Sequence, residues 1–95
     1  MSRYVSLLSF TEQGVENFKE TVDRADAAKK LAAAMGGSID IHWTLGEVDL
    51  VAISEFPDDE TATAFLLKVG SLGNVRTRTL RAFDSKEMMR IIAKA

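Results

Sequence analysis

Four segments of the chain carry the pattern of half-buried β-strands, in which β-forming residues are concentrated and apolar and polar residues alternate. They run from Arg3 to Phe10, from Ser38 to Leu45, from Val48 to Phe56 and from Asn74 to Phe83. Gly46-Glu47 separates the second from the third, where a type II′ hairpin turn takes glycine first. We therefore predict a hairpin with Trp43 opposite Leu50. One of its faces is then expected to be apolar throughout: Ile39, Ile41, Trp43, Leu45, Val48, Leu50 and Ala52.

Three other segments repeat apolar residues every three or four positions, which is the pattern of an amphipathic helix. In the longest, from Val15 to Met35, the predicted buried stripe is Val15, Phe18, Val22, Ala25, Ala28, Leu31, Ala32 and Met35. Gly36-Gly37 ends this helix, because glycine accepts the left-handed conformation of a C-cap. Asp58 is positioned to cap the second helix, and Asp84 or Ser85 to cap the short terminal helix.

The order β-α-β-β-α-β followed by a terminal helix predicts one domain, residues 1–95, of the α+β class. The arrangement is ferredoxin-like, with a four-stranded antiparallel sheet and two helices packed on one of its faces. Repeats, linkers and low-complexity tracts are absent from the sequence.

The other face of the sheet is predicted to be apolar, because the first and third strands carry large apolar residues on both sides. The first strand carries Tyr4, Leu8 and Phe10 on one side and Val5 and Leu7 on the other. The third carries Leu50, Ala52 and Phe56 on one side and Val51 and Ile53 on the other. A face exposed to water does not normally carry so many such groups. We expect two copies to pair through this face as a dimeric α+β barrel. The alternative is a monomer whose terminal helix folds over it.

Composition narrows the possible partners. The 95 residues carry a net charge of −2 and no cysteine, which excludes disulfides, thiolate catalysis and the usual structural zinc sites. The mild charge balance argues against nucleic acid, while a small anionic or apolar ligand remains compatible. With no apolar run of about 20 residues and no signal-peptide pattern, we expect a cytoplasmic protein without a membrane partner. A chain this short needs a well-filled core or a partner subunit.

Three stretches of the sequence have a distinctive composition and spacing. They are Phe10-Thr11-Glu12-Gln13-Gly14, Trp43-Thr44-Leu45-Gly46-Glu47-Val48-Asp49 and Gly70-Ser71-Leu72-Gly73-Asn74-Val75-Arg76-Thr77. Together with Thr79-Leu80-Arg81-Ala82-Phe83, they resemble the GYD domain family, a group of small bacterial and archaeal proteins. The resemblance runs from about Tyr4 to Phe83, and its most specific part is Ser-Leu-Gly-Asn-Val-Arg-Thr.

The resemblance implies a ferredoxin-like fold akin to the dimeric α+β barrels. Some of those barrels are cofactor-free monooxygenases, haem enzymes or isomerases, while others only bind, so shared fold alone implies no activity. The family signature is of the type Gly-x-Tyr-Asp, whereas this chain has Gly46-Glu47-Val48-Asp49. Valine at position 48 removes any role that the family tyrosine would perform through its phenol.

His42, the single histidine, is the candidate general base, and Asp49 the candidate residue that orients it. The alternative is a partly exposed strand histidine, with Asp49 hydrogen-bonded to turn or loop backbone. No nucleophile stands beside His42, and one histidine with Asp40 or Asp49 falls short of a metal site. We therefore predict neither a metal nor a cofactor.

Five further residues are candidate ligand-binding positions: Trp43, Glu47, Asn74, Arg76 and Arg78. Trp43 either lines a pocket or fills the core against the first helix. Glu47 flanks the hairpin turn, and the arginines follow a glycine-containing loop that could hold an anion. The alternative for the arginines is an edge strand protected from aggregation by charge. Two functions remain open: a self-associating ligand-binding or interaction module, and a small cofactor-free enzyme, similar to a monooxygenase or isomerase, with His42 as base.

Overall fold

The computed structural model describes all 95 residues. Its elements are β1 (Ser2–Phe10), α1 (Glu12–Glu16), a 3₁₀ turn (Phe18–Glu20), α2 (Thr21–Ala34), β2 (Ser38–Trp43), β3 (Leu50–Phe56), α3 (Asp59–Ser71), β4 (Val75–Ala82) and α4 (Ser85–Lys94). The strands form one sheet in the order β2-β3-β1-β4, and every neighbouring pair is antiparallel. The predicted ferredoxin-like α+β arrangement is confirmed.

The register of the sheet divides its residues between two faces. Tyr4 pairs with Ser54 and Arg81, and Leu8 pairs with Leu50, so these residues share the covered face, on which α2 and α3 pack. The opposite side, which we call the open face, carries alternate residues from all four strands. Its apolar members include Val5, Leu7, Val51, Ile53 and Leu80.

The hairpin has the predicted register, because Trp43 lies opposite Leu50 and the Thr44 N–H donates to the Asp49 carbonyl at 2.9 Å. β2 nevertheless ends two residues earlier than expected, at Trp43, and β3 begins two residues later, at Leu50. Leu45 belongs to the loop and is fully exposed, so its assignment to the apolar face was wrong. Hydrophobicity at a turn does not bury a side chain unless another element lies above it.

The first predicted helix is interrupted. Asn17 has non-helical backbone angles (φ −106°, ψ 34°), and the 3₁₀ turn that follows changes the phase before α2 begins. As a result Val15, Phe18 and Val22, which the periodicity assigned to the buried stripe, are each more than half exposed. The rest of the stripe faces the protein interior, since Ala25 and Ala32 are buried and Ala28, Leu31 and Met35 are partly buried against the core.

The hydrophobic core occupies one end of the covered face, where β1 begins and β3 ends. This packed end consists of Tyr4, Ala32, Phe56, Ala62 and Phe65. The Phe56 and Phe65 rings lie 4.9 Å apart between centroids. The Tyr4 hydroxyl donates to Asp59, and burial, together with this hydrogen bond, raises the pKa of the phenol.

The two later helices begin at the predicted caps. The Thr61 N–H donates to Asp58 Oδ1 at 2.7 Å, and the Glu87 N–H donates to Asp84 Oδ1 at 2.8 Å. These backbone hydrogen bonds lower the pKa of both carboxyls, because they favour the charged form. The Glu87 side chain accepts in return from the Asp84 N–H, which completes a capping box.

The terminal helix α4 is amphipathic but contributes no buried residue. It does not cover the open face, where Ile53 and Leu80 remain about half exposed. The Cα radius of gyration is 14.3 Å, compared with about 12 Å expected for a compact domain of this length. No helix has the length and apolarity that a bilayer crossing requires.

Candidate ligand-binding cavity

A cavity of about 250 Å³ lies between the covered face and the helices α2 and α3, at the end where β1 finishes and β3 begins. We call this region the hollow end. Fifteen of its 20 lining residues are hydrophobic, among them Leu8, Phe10, Ile41 and Leu66. Phe65 belongs to both ends of the covered face, because it lines the cavity and stacks on Phe56.

The cavity exists because α2 presents small side chains to the sheet. Ala25 and Ala28 line it opposite β2 and β3, and Ala27 lines it at its exposed side. An alanine reaches only one carbon from the backbone and leaves space that a leucine in the same position would fill. At the packed end the small residues Ala32 and Ala62 instead adjoin the large rings of Phe56 and Phe65, which fill the space between the helices and the sheet.

Five polar residues line the cavity: Ser6, Thr21, Arg24, Lys68 and Asn74. Three of them are hydrogen-bonded to other side chains. The Ser6 and Thr79 hydroxyls are 2.9 Å apart, the Trp43 indole N–H donates to Thr21 Oγ1 at 3.0 Å, and the Gln13 amide donates to Asn74 Oδ1 at 3.0 Å. Arg24 and Lys68 take part in no salt bridge.

The rim of the cavity next to Phe10 is held by polar contacts between loops. The Phe10 N–H donates to Asp49 Oδ2 at 2.8 Å, and the Asp49 N–H donates to the Leu8 carbonyl at 2.9 Å. Asp49 therefore joins the hairpin loop to the end of β1. A side chain that accepts from one backbone group while its own N–H donates to another fixes both segments.

The same rim continues into the loop between α3 and β4. The Thr11 N–H donates to the Asn74 carbonyl at 3.1 Å, and the Thr11 hydroxyl donates to the Gly73 carbonyl. A Cβ on Gly14 would lie 2.1 Å from that Asn74 oxygen, so only glycine allows this approach. The three distinctive stretches of the sequence thus meet at one corner of the domain, beside the hollow end.

The comparisons with known proteins can be set beside this geometry. Residues 4–92 match the sequence profile of the GYD domain. The chain belongs to the GYD domain family. Among curated proteins, no sequence matches this GYD domain.

Solved structures with the same fold share little of this sequence. TTHA0845 from Thermus thermophilus superposes with a TM-score of 0.59 at 24% identity, covering 90% of this chain and 96% of that one. At3g17210 from Arabidopsis thaliana gives 0.58 at 13% identity, with the same coverage of both chains. A putative chlorite dismutase, TA0507, gives 0.56 at 15% identity over 88% of this chain and 45% of that one. At these identities the likeness concerns the fold alone.

The GYD domain does not bring its candidate catalytic residues together. His42 lies on the open face of the edge strand β2, exposed, with Nε2 3.2 Å from Asp40 Oδ2. Asp49 accepts a hydrogen bond from the Phe10 N–H. It therefore binds loop backbone, which was the alternative to orienting His42. His42 does not line the cavity. No three His, Asp or Glu side chains lie close enough together to hold a metal ion.

The other predicted ligand-binding residues are also dispersed. Only Asn74 lines the cavity. Trp43 points to the covered side but is 44% exposed at the edge of the sheet, and Glu47 lies in the exposed hairpin loop. Arg76 and Arg78 are exposed on the open face of β4, which is an edge strand as expected.

Sequence reasoning missed Arg24, the cationic residue of α2 that lines the cavity. Its position contained a usable signal. Arg24 precedes Ala28 and Leu31 by four and seven residues, which places it on the apolar stripe of the helix. A charged residue on such a stripe is rarely left without a reason, because burying an unpaired charge is costly.

Proposed function

We propose that this GYD domain is a self-associating module that binds a small, mainly apolar molecule at the hollow end. The observation that carries the proposal is the cavity of about 250 Å³ with 15 hydrophobic lining residues. An apolar cavity of about 150 Å³ already accommodates benzene, so there is room for a bicyclic body. Covering its walls would remove apolar surface from water at about 25 cal/mol per Å².

The build of the walls supports this proposal. Natural interiors are close-packed, and a gap in a small domain lowers stability. Here the gap is bounded by β-strands on one side and by a helix with three alanines on the other. The rim is tied by Asp49 and Thr11, so it does not depend on side chains filling the space. A pre-formed cavity with a few polar groups is the usual form of a small-molecule site.

Binding at the cavity is tested with naphthalene, a neutral bicyclic probe, by equilibrium dialysis. Ala28→Leu fills the cavity and is expected to lower the affinity at least tenfold, by occupying the same space. Ala33→Leu is the matched control, because Ala33 is exposed on the same helix and does not line the cavity. Equal binding by the two variants would contradict the proposal, as would absence of binding by the unaltered protein.

Self-association is supported by the size of the exposed surface. The chain exposes 6486 Å², whereas a folded monomer of this mass exposes about 5,400 Å². The excess is similar to the roughly 800 Å² that each partner buries in a standard interface. Apolar side chains make up much of this surface, since the open face includes Ile53 and Leu80, and α4 exposes both Met88 and Met89. Pairing through the open face, as in a dimeric barrel, would bury Ile53 and Leu80.

Sedimentation velocity at micromolar concentration tests the pairing. Leu80→Glu places a charge within the proposed interface and is expected to give monomers. Leu67→Glu is the control, because Leu67 is also exposed but lies on α3, away from the open face. A monomeric unaltered protein, or a Leu80→Glu variant that remains dimeric, would contradict this part of the proposal.

The alternative function, a small cofactor-free enzyme with His42 as base, has less support from the geometry. His42 is exposed, its partner is Asp40, and the apolar cavity lies on the other side of the sheet. A general base must reach the proton that it abstracts. This function therefore requires a substrate bound on the open face, which the proposed pairing would cover.

A further inference from the structure

The guanidinium of Arg24 lies in the wall of the hollow end, and only one of its two terminal nitrogens has a protein partner. Nη1 donates to the Asn17 carbonyl at 2.7 Å, across the break between α1 and α2. Nη2 is buried and finds no acceptor in the protein. The first contact holds the side chain in place, and the second nitrogen is a charged donor without an acceptor on a residue that lines a largely apolar space.

The charged residues that line the cavity are of one sign. Among the residues that line the cavity, Arg24 and Lys68 are cationic, and none is Asp or Glu. Neither cation forms a salt bridge elsewhere in the chain. The remaining polar lining residues already have partners, as described above for Ser6, Thr21 and Asn74. The cavity therefore offers a ligand hydrogen-bond donors that carry positive charge, on Arg24 and Lys68.

A buried donor of a charged group without a partner is destabilising, and in natural proteins such a group calls for an explanation such as a bound water, a bound ion or a functional role. The ligand that matches it has one acceptor with negative charge. Because guanidinium hydrogen-bonds carboxylate with particular strength, a carboxylate is the best complement. The volume, about 250 Å³, suits a compact apolar body and leaves no space for a nucleotide.

We propose that the hollow end binds a small apolar monocarboxylate, with the carboxylate accepting from Arg24 Nη2 and Lys68 supplying a second positive charge at the same cavity. This inference rests on the proposed function, since it names the class of ligand for the same cavity. It adds the polar group that orients the ligand.

The test compares three probes that share one body: naphthalene, 2-naphthoate and methyl 2-naphthoate. In the unaltered protein, 2-naphthoate is expected to bind about tenfold or more tightly than either neutral probe. Its carboxylate would form a charged hydrogen bond with Arg24 that the neutral probes lack. Arg24→Met is expected to remove that advantage while naphthalene affinity stays within about twofold, since the methionine keeps the apolar stem. Arg78→Met, on the open face, is the control and is expected to retain the advantage.

The outcomes separate this inference from the proposed function. If naphthalene binds but 2-naphthoate binds no more tightly, or if the advantage survives in Arg24→Met, the inference is overturned and the cavity remains a site for neutral ligands. If none of the three probes binds, both proposals fail. Should Arg24→Met not fold, through loss of the contact with Asn17, the comparison of carboxylate with methyl ester in the unaltered protein decides the question.

Discussion

The packed end and the hollow end lie on the same sheet face, along the same central strands, and are built in opposite ways. At the packed end, aromatic rings of Tyr4, Phe56 and Phe65 fill the space beneath small residues of the helices. At the hollow end, alanines of α2 face the strands, and loops are tied at the rim by Asp49 and Thr11. One end is held by packing and the other by polar contacts, which leaves the second free to take a ligand.

Removing a large ring from the packed end is expected to have the largest effect. Phe56→Ala should lower the free energy of unfolding by about 3–5 kcal/mol, because the site is surrounded by side chains that cannot close the gap. Val75→Ala, at the wall of the cavity, should cost less than about 1.6 kcal/mol, since it removes two carbons beside an existing space. Denaturant unfolding measures both, and similar costs would contradict the division into two ends.

A second pair of variants applies one substitution to both ends. Ala62→Leu should destabilise the domain by about 1–3 kcal/mol, because Ala62 is almost fully buried in the filled region. Ala28→Leu should be stabilising by about 0.5–2 kcal/mol, because its side chain enters the cavity. Thermal and denaturant unfolding give the sign of each change. Two destabilising changes of equal size would show that the hollow end has no usable space.

The polar ties of the rim provide a third prediction. Asp49→Ala leaves the Phe10 N–H without its acceptor and should cost about 1–3 kcal/mol. Asp40→Ala is the control, because Asp40 is exposed and its side chain bonds only to His42, so its loss should change stability by no more than about 0.5 kcal/mol. If the two variants were equally stable, Asp49 would not be what holds the rim.

The smallest effect concerns the pH dependence of the packed end. The pKa of Tyr4 is raised in the folded state, so its contribution to stability is complete below the unfolded pKa of about 10 and is lost as pH rises toward the folded pKa. Tyr4→Phe should be about 1 kcal/mol less stable at pH 8, and this difference should shrink above pH 10. Because Tyr4 is the only tyrosine, its ultraviolet titration can be followed without interference. A difference that does not change with pH would contradict this account.

Local patterns in the sequence were sufficient to predict most of the fold. Alternation along β1 and β3 identified both faces of the sheet, and Asp58 and Asp84 cap helices as expected, because these features depend on neighbouring residues. The exposure of Val15, Phe18 and Val22 was missed, since it arises from the break at Asn17. Periodicity reports spacing, and it cannot detect a change of helical phase produced by a 3₁₀ turn.

The candidate site was harder to predict, because a cavity forms where no side chain fills the space between elements. Ala25 and Ala28 of α2 appeared as ordinary members of a buried stripe, and only the three-dimensional structure shows that the space between them and the strands stays open. His42 and Asp49 attracted attention as reactive residue types. The structure uses Asp49 to join two backbone segments and leaves His42 at an edge. Residue type thus indicated possible chemistry, whereas long-range placement decided which groups meet.

The most direct test of the central claim is to map the binding of naphthalene on the ¹H–¹⁵N correlation spectrum of the intact protein. If the hollow end is the site, shifts should concentrate on amides of its walls, such as those of Ser6, Leu66 and Val75. Ile53 and Leu80 on the open face, and Met89 on α4, should change little, although they also expose apolar surface. Shifts confined to the open face or to α4 would contradict the account, because the probe would then be reporting exposed surface and not a cavity.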